Sequence, residues 1–196
     1  MLERPEFPSR ANSGAKAAQY GLVAQWAHWI TALLIFAAVI IAWVMVEAAR
    51  DNPSRPVLYT IHKALGVTIF AIVAFRILWR AANPAPPLPA RFARWEAVIA
   101  KISHVLLYVV LMGLPISGFI DSQADGHPIS FFDLFDLPVI IPQNKDLSKL
   151  AETAHVWLQW PLYALIGLHI LATAWHVGVR RDGVLHRMLP RQINAE

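Results

Sequence analysis

Histidine is the residue type whose number and spacing point to chemistry in this chain. The sequence has eight histidines and no cysteine. Six lie within or at the ends of long apolar stretches: His28, His62, His104, His155, His169 and His176. Ionisable side chains are costly inside a bilayer, and they usually face the interior of a helix bundle for a functional reason. A lone buried histidine is most simply a hydrogen-bonded structural residue, but six in one small chain favour a ligand role. Neutral imidazole is a good axial ligand for haem iron.

The elements that position these histidines are membrane helices. Of the 196 residues 57% are hydrophobic and only 15% are charged, whereas an ordinary soluble domain has about 25% charged residues. This composition excludes an ordinary soluble enzyme and an intrinsically disordered chain. Since about 20 apolar residues cross a bilayer as a helix, the sequence predicts an all-α integral membrane four-helix bundle. Its spans are Val23–Val46, Val57–Trp79, Trp95–Ile120 and about His155–Val179.

The connections between the spans complete the predicted organisation. Proline-rich segments, 52–56 and 83–89, separate the first three spans, because proline ends helices. The third link, 121–154, contains Phe131–Phe135, which is predicted to lie at the membrane interface as a short amphipathic helix. The first span is too long for a signal peptide and follows some 20 polar residues. We expect an N-terminal tail (1–22), a four-helix transmembrane domain (23–179) and a C-terminal tail (180–196).

The charges predict the orientation. Four spans place both termini on one side, which carries twelve of the 17 Lys and Arg residues and a net charge of +7. The other side carries five of them and a net charge of −3. Positive loops stay in the cytoplasm, so both termini should be cytoplasmic. Because the basic residues are dispersed among apolar spans, there is no nucleic-acid-binding signature.

The histidines fall at two depths in this topology. His62 and His155 lie near the outer ends of spans two and four, and His28 and His169 lie in the inner half. His155 and His169 are 14 residues apart, which places them on one face of span four and about 21 Å apart along its axis. Two haems stacked in the bundle, each with two histidine ligands, fit this pattern. Zinc or non-haem iron would need three or four ligands at one depth, usually with a carboxylate or a thiolate.

The sequence resembles the prokaryotic cytochrome b561 family of four-helix, di-haem b proteins. The similarity extends from about Tyr20 to Arg191, and the order and spacing of the matching segments make it specific. These segments are Gln25-Trp26-Ala27-His28-Trp29, Ile61-His62-Lys63-Ala64-Leu65-Gly66, Ser103-His104-Val105-Leu106-Leu107-Tyr108, Gly113-Leu114-Pro115-Ile116-Ser117-Gly118, Glu152-Thr153-Ala154-His155, Gly167-Leu168-His169, His176, and Leu185-His186-Arg187-Met188-Leu189-Pro190-Arg191.

The resemblance implies that residues 23–179 form a cytochrome b domain in a bacterial inner membrane, and it also implies the iron ligands. His28 and His169 would hold the inner haem b, and His62 and His155 the outer haem b, in agreement with the depths above. His104 then has no ligand role and is interpreted as a structural histidine. Glycines beside the ligands, Gly66 and Gly167, either let a flat macrocycle approach the backbone or simply pack helices.

The resemblance also implies a quinone site on the cytoplasmic side, near Ser103, His176 and Arg76. His176 is equally consistent with an exposed interfacial histidine. Arg76 follows His62 by 14 residues, so it should point inward, where it suits a haem propionate or a quinone carbonyl. The alternative for Arg76 is that its charged end extends to the lipid headgroups.

Two redox hypotheses follow from the resemblance. In the first, the protein is a quinone-linked oxidoreductase that takes electrons from a periplasmic donor, and superoxide with ubiquinone is one activity of the family. Lys63 and Arg76 are then the candidate catalytic residues, and Lys63, Arg50 and Arg55 would form a positive funnel beside His62. A net charge of −3 on the outer loops does not suit an anionic substrate.

In the second hypothesis the chain is an electron-transfer subunit that docks a periplasmic dehydrogenase, hydrogenase or cytochrome c. The acidic outer face would suit a basic partner, and link 121–154 would be the platform. A third hypothesis, from another class, is a haem-free structural or transport bundle, which an absorption spectrum would distinguish.

Overall fold

Four long helices make up most of the protein. A computed structural model describes residues 19–87 and 92–190. Within them the chain forms α1 (Leu22–Glu47), α2 (Arg55–Ala82), α3 (Arg94–Ala124) and α4 (Lys145–Trp175). All four are long and apolar enough to cross a membrane, so the predicted all-α bundle with four spans is confirmed.

Parts of the predicted organisation lie outside the described residues. Most of the N-terminal tail, the end of the C-terminal tail and residues 88–91 of the second proline-rich link belong to this group. So do several basic residues that entered the orientation count: Arg4, Arg10, Lys16, Arg91 and Arg191. The domain limits and the cytoplasmic location of the termini therefore stay predictions.

The observed helix ends have local causes. Pro56 lies in the first turn of α2, where its missing N–H is not needed. α4 starts at Lys145, ten residues before the predicted span, because the side chain of Asn144 accepts a hydrogen bond from the backbone N–H of Leu147 at 3.0 Å and caps the helix. Asp146 in the first turn adds a favourable interaction with the helix dipole. The apolar pattern therefore identified the membrane part of α4 but not its polar start.

The bundle buries one apolar layer at mid-height. α3 packs most closely on α4, α1 on α2, and α2 on α3. The buried core draws on all four helices: Ile35, Ala38, Leu65, Ile69, Val73, Val110, Leu111 and Leu162. On α4, the helix that carries a histidine at both levels, Leu162 lies between His155 and His169. Large side chains on the opposite faces stay exposed, with Leu33 and Leu78 each 70% exposed, which is typical of surfaces that face lipid.

The predicted interfacial helix at Phe131–Phe135 is wrong. This segment forms a short hairpin, in which β1 (Ser130–Phe131) pairs antiparallel with β2 (Phe135–Asp136). Phe132 and Asp133 adopt positive φ angles of 51° and 58°, which reverse the chain within one tight turn. Pro128 and Pro138 bracket the hairpin and would limit any helix between them to about two turns. The exposed aromatic side chains of a tight hairpin produced the amphipathic pattern.

Gln123, near the end of α3, holds the loop that follows the hairpin. Its side chain is buried; it donates to the carbonyl of Pro138 at 2.9 Å and accepts from the N–H groups of Ile140 and Ile141 at 2.9 and 3.0 Å. We expect Gln123→Ala to cost about 1–3 kcal/mol, because these polar groups lose their shared partner. Limited proteolysis of the 128–143 loop and the melting temperature report the change. Gln143→Ala, which truncates an exposed glutamine of the same loop, should change either by little, and equal effects would contradict this role.

The inner end of the bundle is closed by the segment after α4. One π-helical turn (His176–Arg180) leads to a short 3-10 helix (Leu185–Arg187). The buried guanidinium of Arg187 donates to the carbonyls of Pro86 and Pro87 at 2.8 and 2.9 Å. Its own carbonyl accepts from the backbone N–H of Tyr20 at 3.1 Å. These bonds tie the segment to both the link before α3 and the start of α1.

Candidate functional site

The outer histidine pair joins α2 and α4. The ring centres of His62 and His155 are 6.2 Å apart, and the ring planes are 84° apart. Nδ1 of His62 donates to the carbonyl oxygen of Ala38 at 3.1 Å, and Nδ1 of His155 donates to that of Leu114 at 2.8 Å. Because a carbonyl oxygen only accepts, each neutral ring carries its proton on Nδ1 and a lone pair on Nε2. Both rings therefore have the tautomer that binds a metal through Nε2.

The inner pair joins α1 and α4. The ring centres of His28 and His169 are 6.1 Å apart. Nη2 of Arg76 donates to Nδ1 of His28 at 3.3 Å, and the guanidinium lies 5.6 Å from the ring centre of Tyr108. The ring of His104 stands edge-on to His169, with centres 5.4 Å apart. The inner level thus brings together the predicted ligands and the inward-pointing arginine.

Both pair distances fit one metal ion between two imidazoles. A metal–imidazole bond is about 2 Å long and a ring nitrogen lies about 1 Å from the ring centre, so two axial rings have centres about 6 Å apart. The helices that supply each pair, α1 with α4 and α2 with α4, are not among the closely packed pairs of the bundle. A flat group can therefore lie between them without displacing the apolar core.

Glycines shape the space around the histidines. A Cβ added at Gly66 or Gly167 would meet no other atom within 4 Å, so both positions adjoin open space and neither glycine is required for close helix packing. Gly118 has another role, because a Cβ there would lie 3.0 Å from Cε1 of His155. Only glycine lets this imidazole pack directly on the backbone of α3. Sequence reasoning placed Gly118 in a motif but missed this contact.

The outer pair opens into a cavity of about 770 Å³, within the range of roughly 300–1,000 Å³ that is usual for ligand sites. His62, His155 and Gly66 are part of its wall. The structure also brings the three predicted funnel residues to this wall, together with two carboxylates: Arg50, Arg55, Lys63, Asp121 and Asp125.

The carboxylates of the cavity wall have close partners. Asp125 accepts from Nζ of Lys145 at 2.5 Å and lies 2.9 Å from Nδ1 of His127. The hydrogen bond from Lys145 lowers the pKa of Asp125 below its ordinary value, so this carboxyl stays ionised at neutral pH and its charge is matched. Asp121 accepts from the hydroxyl of Ser148 at 2.8 Å. The net charge of the cavity wall beside His62 is thus more positive than the net charge of the outer loops as a whole.

The three predicted quinone contacts are more scattered. Ser103 donates to the carbonyl of Ile99 within its own helix at 2.8 Å. His176 lies in the π-helical turn at the end of α4. Among residues 19–87 and 92–190, no hydrogen bond or ring contact joins Ser103, His176 and Arg76 to one another. A quinone that touches all three would therefore have to bridge them.

Sequence reasoning missed two partners of His176. Nδ1 of His176 lies 2.5 Å from Oδ2 of Asp182, and its ring stacks on Phe92 with centres 4.8 Å apart and planes 6° apart. A signal was present for Asp182, since it is the one acidic residue in the sequence between Glu152 and Glu196. Nothing in the sequence pattern pointed to Phe92.

Four membrane helices with facing histidines at two levels have the architecture of a b-type membrane cytochrome. The chain belongs to the prokaryotic cytochrome b561 family, whose sequence profile matches residues 19–191. It is therefore a multi-pass bacterial membrane cytochrome, and the family implies a b-type haem.

Individual relatives support the same placement. The chain is 30% identical to cytochrome b561 homolog 2 of Escherichia coli over 172 residues, which cover 87% of this chain and 91% of the relative. It is 30% identical to the probable superoxide oxidase CybB of Yersinia pestis over 167 residues, or 84% and 92% of the two chains. Cytochrome b561 homolog 1 of E. coli is 26% identical over 171 residues, or 84% and 93%.

Proposed function

We propose that this protein passes single electrons from a periplasmic donor to ubiquinone through two b-type haems, with both termini in the cytoplasm. The observation that carries the proposal is the pair of ring spacings, 6.1 and 6.2 Å, at two levels of one bundle. A relative named as a probable superoxide oxidase supports superoxide as the donor.

Different histidines of the chain act at the outer and inner levels of the bundle. His62 and His155 would hold the outer haem, and His28 and His169 would hold the inner one. When bound, the two haems supply one-electron redox chemistry at two depths of the membrane. The carbonyls of Ala38 and Leu114 keep Nδ1 of the outer rings protonated, which presents Nε2 to iron and orients each ring.

Binding of the inner haem would break the hydrogen bond between Arg76 and His28. Arginine only donates, so Nδ1 of His28 accepts from Arg76 and Nε2 carries the ring proton. Iron binding through Nε2 requires that proton on Nδ1, so Arg76 must release His28. A haem propionate is the anionic group that suits the freed guanidinium, since charge-assisted pairs with arginine are strong. A quinone carbonyl oxygen could also accept a hydrogen bond from this guanidinium.

The oxidation of superoxide and the reduction of ubiquinone balance in electrons and protons. Two superoxide ions each lose one electron and become dioxygen, and one ubiquinone takes up two electrons and two protons to become the quinol. Lys63, with Arg50 and Arg55, attracts the anion toward His62, since local charge in a cleft raises the rate of encounter. Ser103 and His176 contact the quinone at the inner end.

The experiment that tests the function uses purified holo-protein with a short-chain ubiquinone. Superoxide, ascorbate and reduced cytochrome c are each supplied as donor, and haem reduction and quinol formation are followed by absorbance. We expect fast reduction by superoxide with a rate that falls as salt rises. A rate no greater than that of free haem would exclude superoxide as the donor.

Docking of a periplasmic redox protein is the second candidate. The hairpin and the start of α4 present exposed acidic side chains on the outer face: Asp133, Asp136, Asp146 and Glu152. An acidic surface of this kind suits a basic partner. Reduction by cytochrome c that is faster than by superoxide, and that is weakened by Asp133→Asn with Asp136→Asn, would favour this candidate.

Gly118 provides a further prediction for the outer level. Gly118→Ala places a methyl group 3.0 Å from Cε1 of His155, so we expect the ring to shift and the outer haem to be partly lost. The matched control is Gly113→Ala in the same helix, where the new Cβ meets only a methyl carbon of Leu158 at 3.3 Å. Haem content per chain measures both variants. Full haem content in Gly118→Ala, or equal loss in both, would contradict this prediction.

A further inference from the structure

The segment after α4 turns a carboxylate back onto His176. Arg181 has a left-handed backbone with φ of 49°, and this reversal brings Asp182 against the π-helical turn. Oδ2 of Asp182 lies 2.5 Å from Nδ1 of His176, and the two side chains are only 2% and 13% exposed. Oδ1 of Asp182 accepts from the backbone N–H of Val184 at 3.2 Å. Both carboxylate oxygens are therefore held in place.

Two contacts fix the plane and the tautomer of the His176 ring. Phe92 stacks on one face almost in parallel, at 4.8 Å and 6°. A carboxylate only accepts, so Nδ1 of His176 is the donor in the bond to Asp182. Within the part of the chain that the structure describes, Nε2 has no hydrogen-bond partner. The ring thus has one nitrogen committed to Asp182 and one available to a ligand.

The neighbouring acidic residue does not bond to His176 or Asp182, because it has other partners. The other acid at this level, Glu96, accepts from Nη2 of Arg180 at 3.1 Å and from the backbone N–H of Ala93 at 2.9 Å. A buried carboxylate that orients one imidazole and stabilises its cationic form is an arrangement that supports proton transfer by the other ring nitrogen. A histidine that only filled space at the membrane boundary would not need a buried carboxylate.

We propose that Asp182 is a positioning residue that makes His176 the proton donor to ubiquinone. The inference rests on the proposed quinone reduction. For each electron that reaches the quinone, the His176 imidazolium, which is protonated on both ring nitrogens, transfers its Nε2 proton to a quinone carbonyl oxygen and returns to the neutral ring protonated on Nδ1. Nε2 is then reprotonated by cytoplasmic water. Two such rounds deliver the two electrons and two protons of the quinol.

The test compares Asp182→Asn with the unsubstituted holo-protein. Reduced protein is mixed with a short-chain ubiquinone, and the rate of haem reoxidation is followed at several quinone concentrations. General acid catalysis contributes about 10²–10⁴-fold, so we expect the maximal rate to fall at least tenfold while the half-saturating quinone concentration changes little. The solvent deuterium isotope effect should rise, and Asp182→Glu should recover part of the rate. Glu96→Gln is the matched control, because it neutralises a buried acid at the same level without touching His176.

A second readout does not depend on turnover. In protein labelled with ¹⁵N-histidine, the His176 signals, assigned by their loss in His176→Phe, should show the tautomer protonated on Nδ1 and should move in Asp182→Asn. If Asp182→Asn lowers haem content, His176→Phe replaces it in the kinetic comparison, because that ring can still stack on Phe92. Unchanged maximal rates in either variant, or a neutral ring protonated on Nε2 alone, would overturn the proposal. A failure of quinone to oxidise the reduced, unsubstituted protein would instead contradict the proposed function itself.

Discussion

Substitution of His169 by alanine is expected to leave one haem per chain, where two are expected in the unsubstituted protein. His169 and His28 face each other with ring centres 6.1 Å apart, and a haem with two axial histidines loses most of its affinity when one ligand is removed. The measurement is haem content per chain, with the absorption spectrum of the reduced protein. His155→Ala should give the same stoichiometry with the inner haem retained.

The control for His169→Ala is its neighbour. His104→Ala removes an imidazole from the same level, yet its ring stands edge-on to His169 with centres 5.4 Å apart, which is too close for an iron atom between them. We expect this variant to keep both haems. Loss of a haem in His104→Ala, or full content in His169→Ala, would show that the inner ligands are assigned incorrectly.

The second prediction with a large effect concerns the reaction with the electron donor, superoxide. Lys63→Gln is expected to slow haem reduction by superoxide about tenfold, because electrostatic steering changes encounter rates by about 10–10³-fold. Lys63 follows His62 in the chain and lies on the wall of the outer cavity. Stopped-flow rates at increasing salt measure the effect, and the salt dependence should become shallower in the variant.

Lys149→Gln is the control that distinguishes an effect of the charge beside His62 from an effect of the total charge of the outer face. Both substitutions make the outer face more negative by one unit, but Lys149 is an exposed residue of α4 that is not part of the cavity wall. We expect its rate to stay within twofold of the unsubstituted protein. An equal decrease in the two variants would mean that the charge of the whole face governs the reaction, and not a funnel beside His62.

Spacing on single helices made much of this site predictable from the sequence. His155 and His169 are 14 residues apart, so the helical period alone places them on one face at two depths. The pairing with His62 and His28 then follows from the order of the spans and the side on which each begins. Arg76 was predicted by the same rule, and the structure places it beside His28.

Contacts between distant segments were not predictable in this way. The approach of His155 to Gly118 depends on how α3 and α4 cross, and the stack of Phe92 on His176 joins residues on either side of α3. The hairpin at 130–136 was misread because Phe131, Leu134 and Phe135 have the i, i+3, i+4 spacing that a short amphipathic helix also shows. A turn with positive φ at Phe132 and Asp133 is unusual for such residues, and no local signal indicated it.

The two levels of histidines on α4, separated by an apolar layer, have an electrical consequence. In the proposed direction each electron moves from the outer to the inner level, toward the negative side of an energised membrane. Moving one elementary charge through 100 mV requires about 2.3 kcal/mol, and the electron crosses the part of that field that falls between the levels. The membrane voltage should therefore oppose the reaction, and quinol formation in sealed vesicles should become faster when an ionophore collapses the voltage.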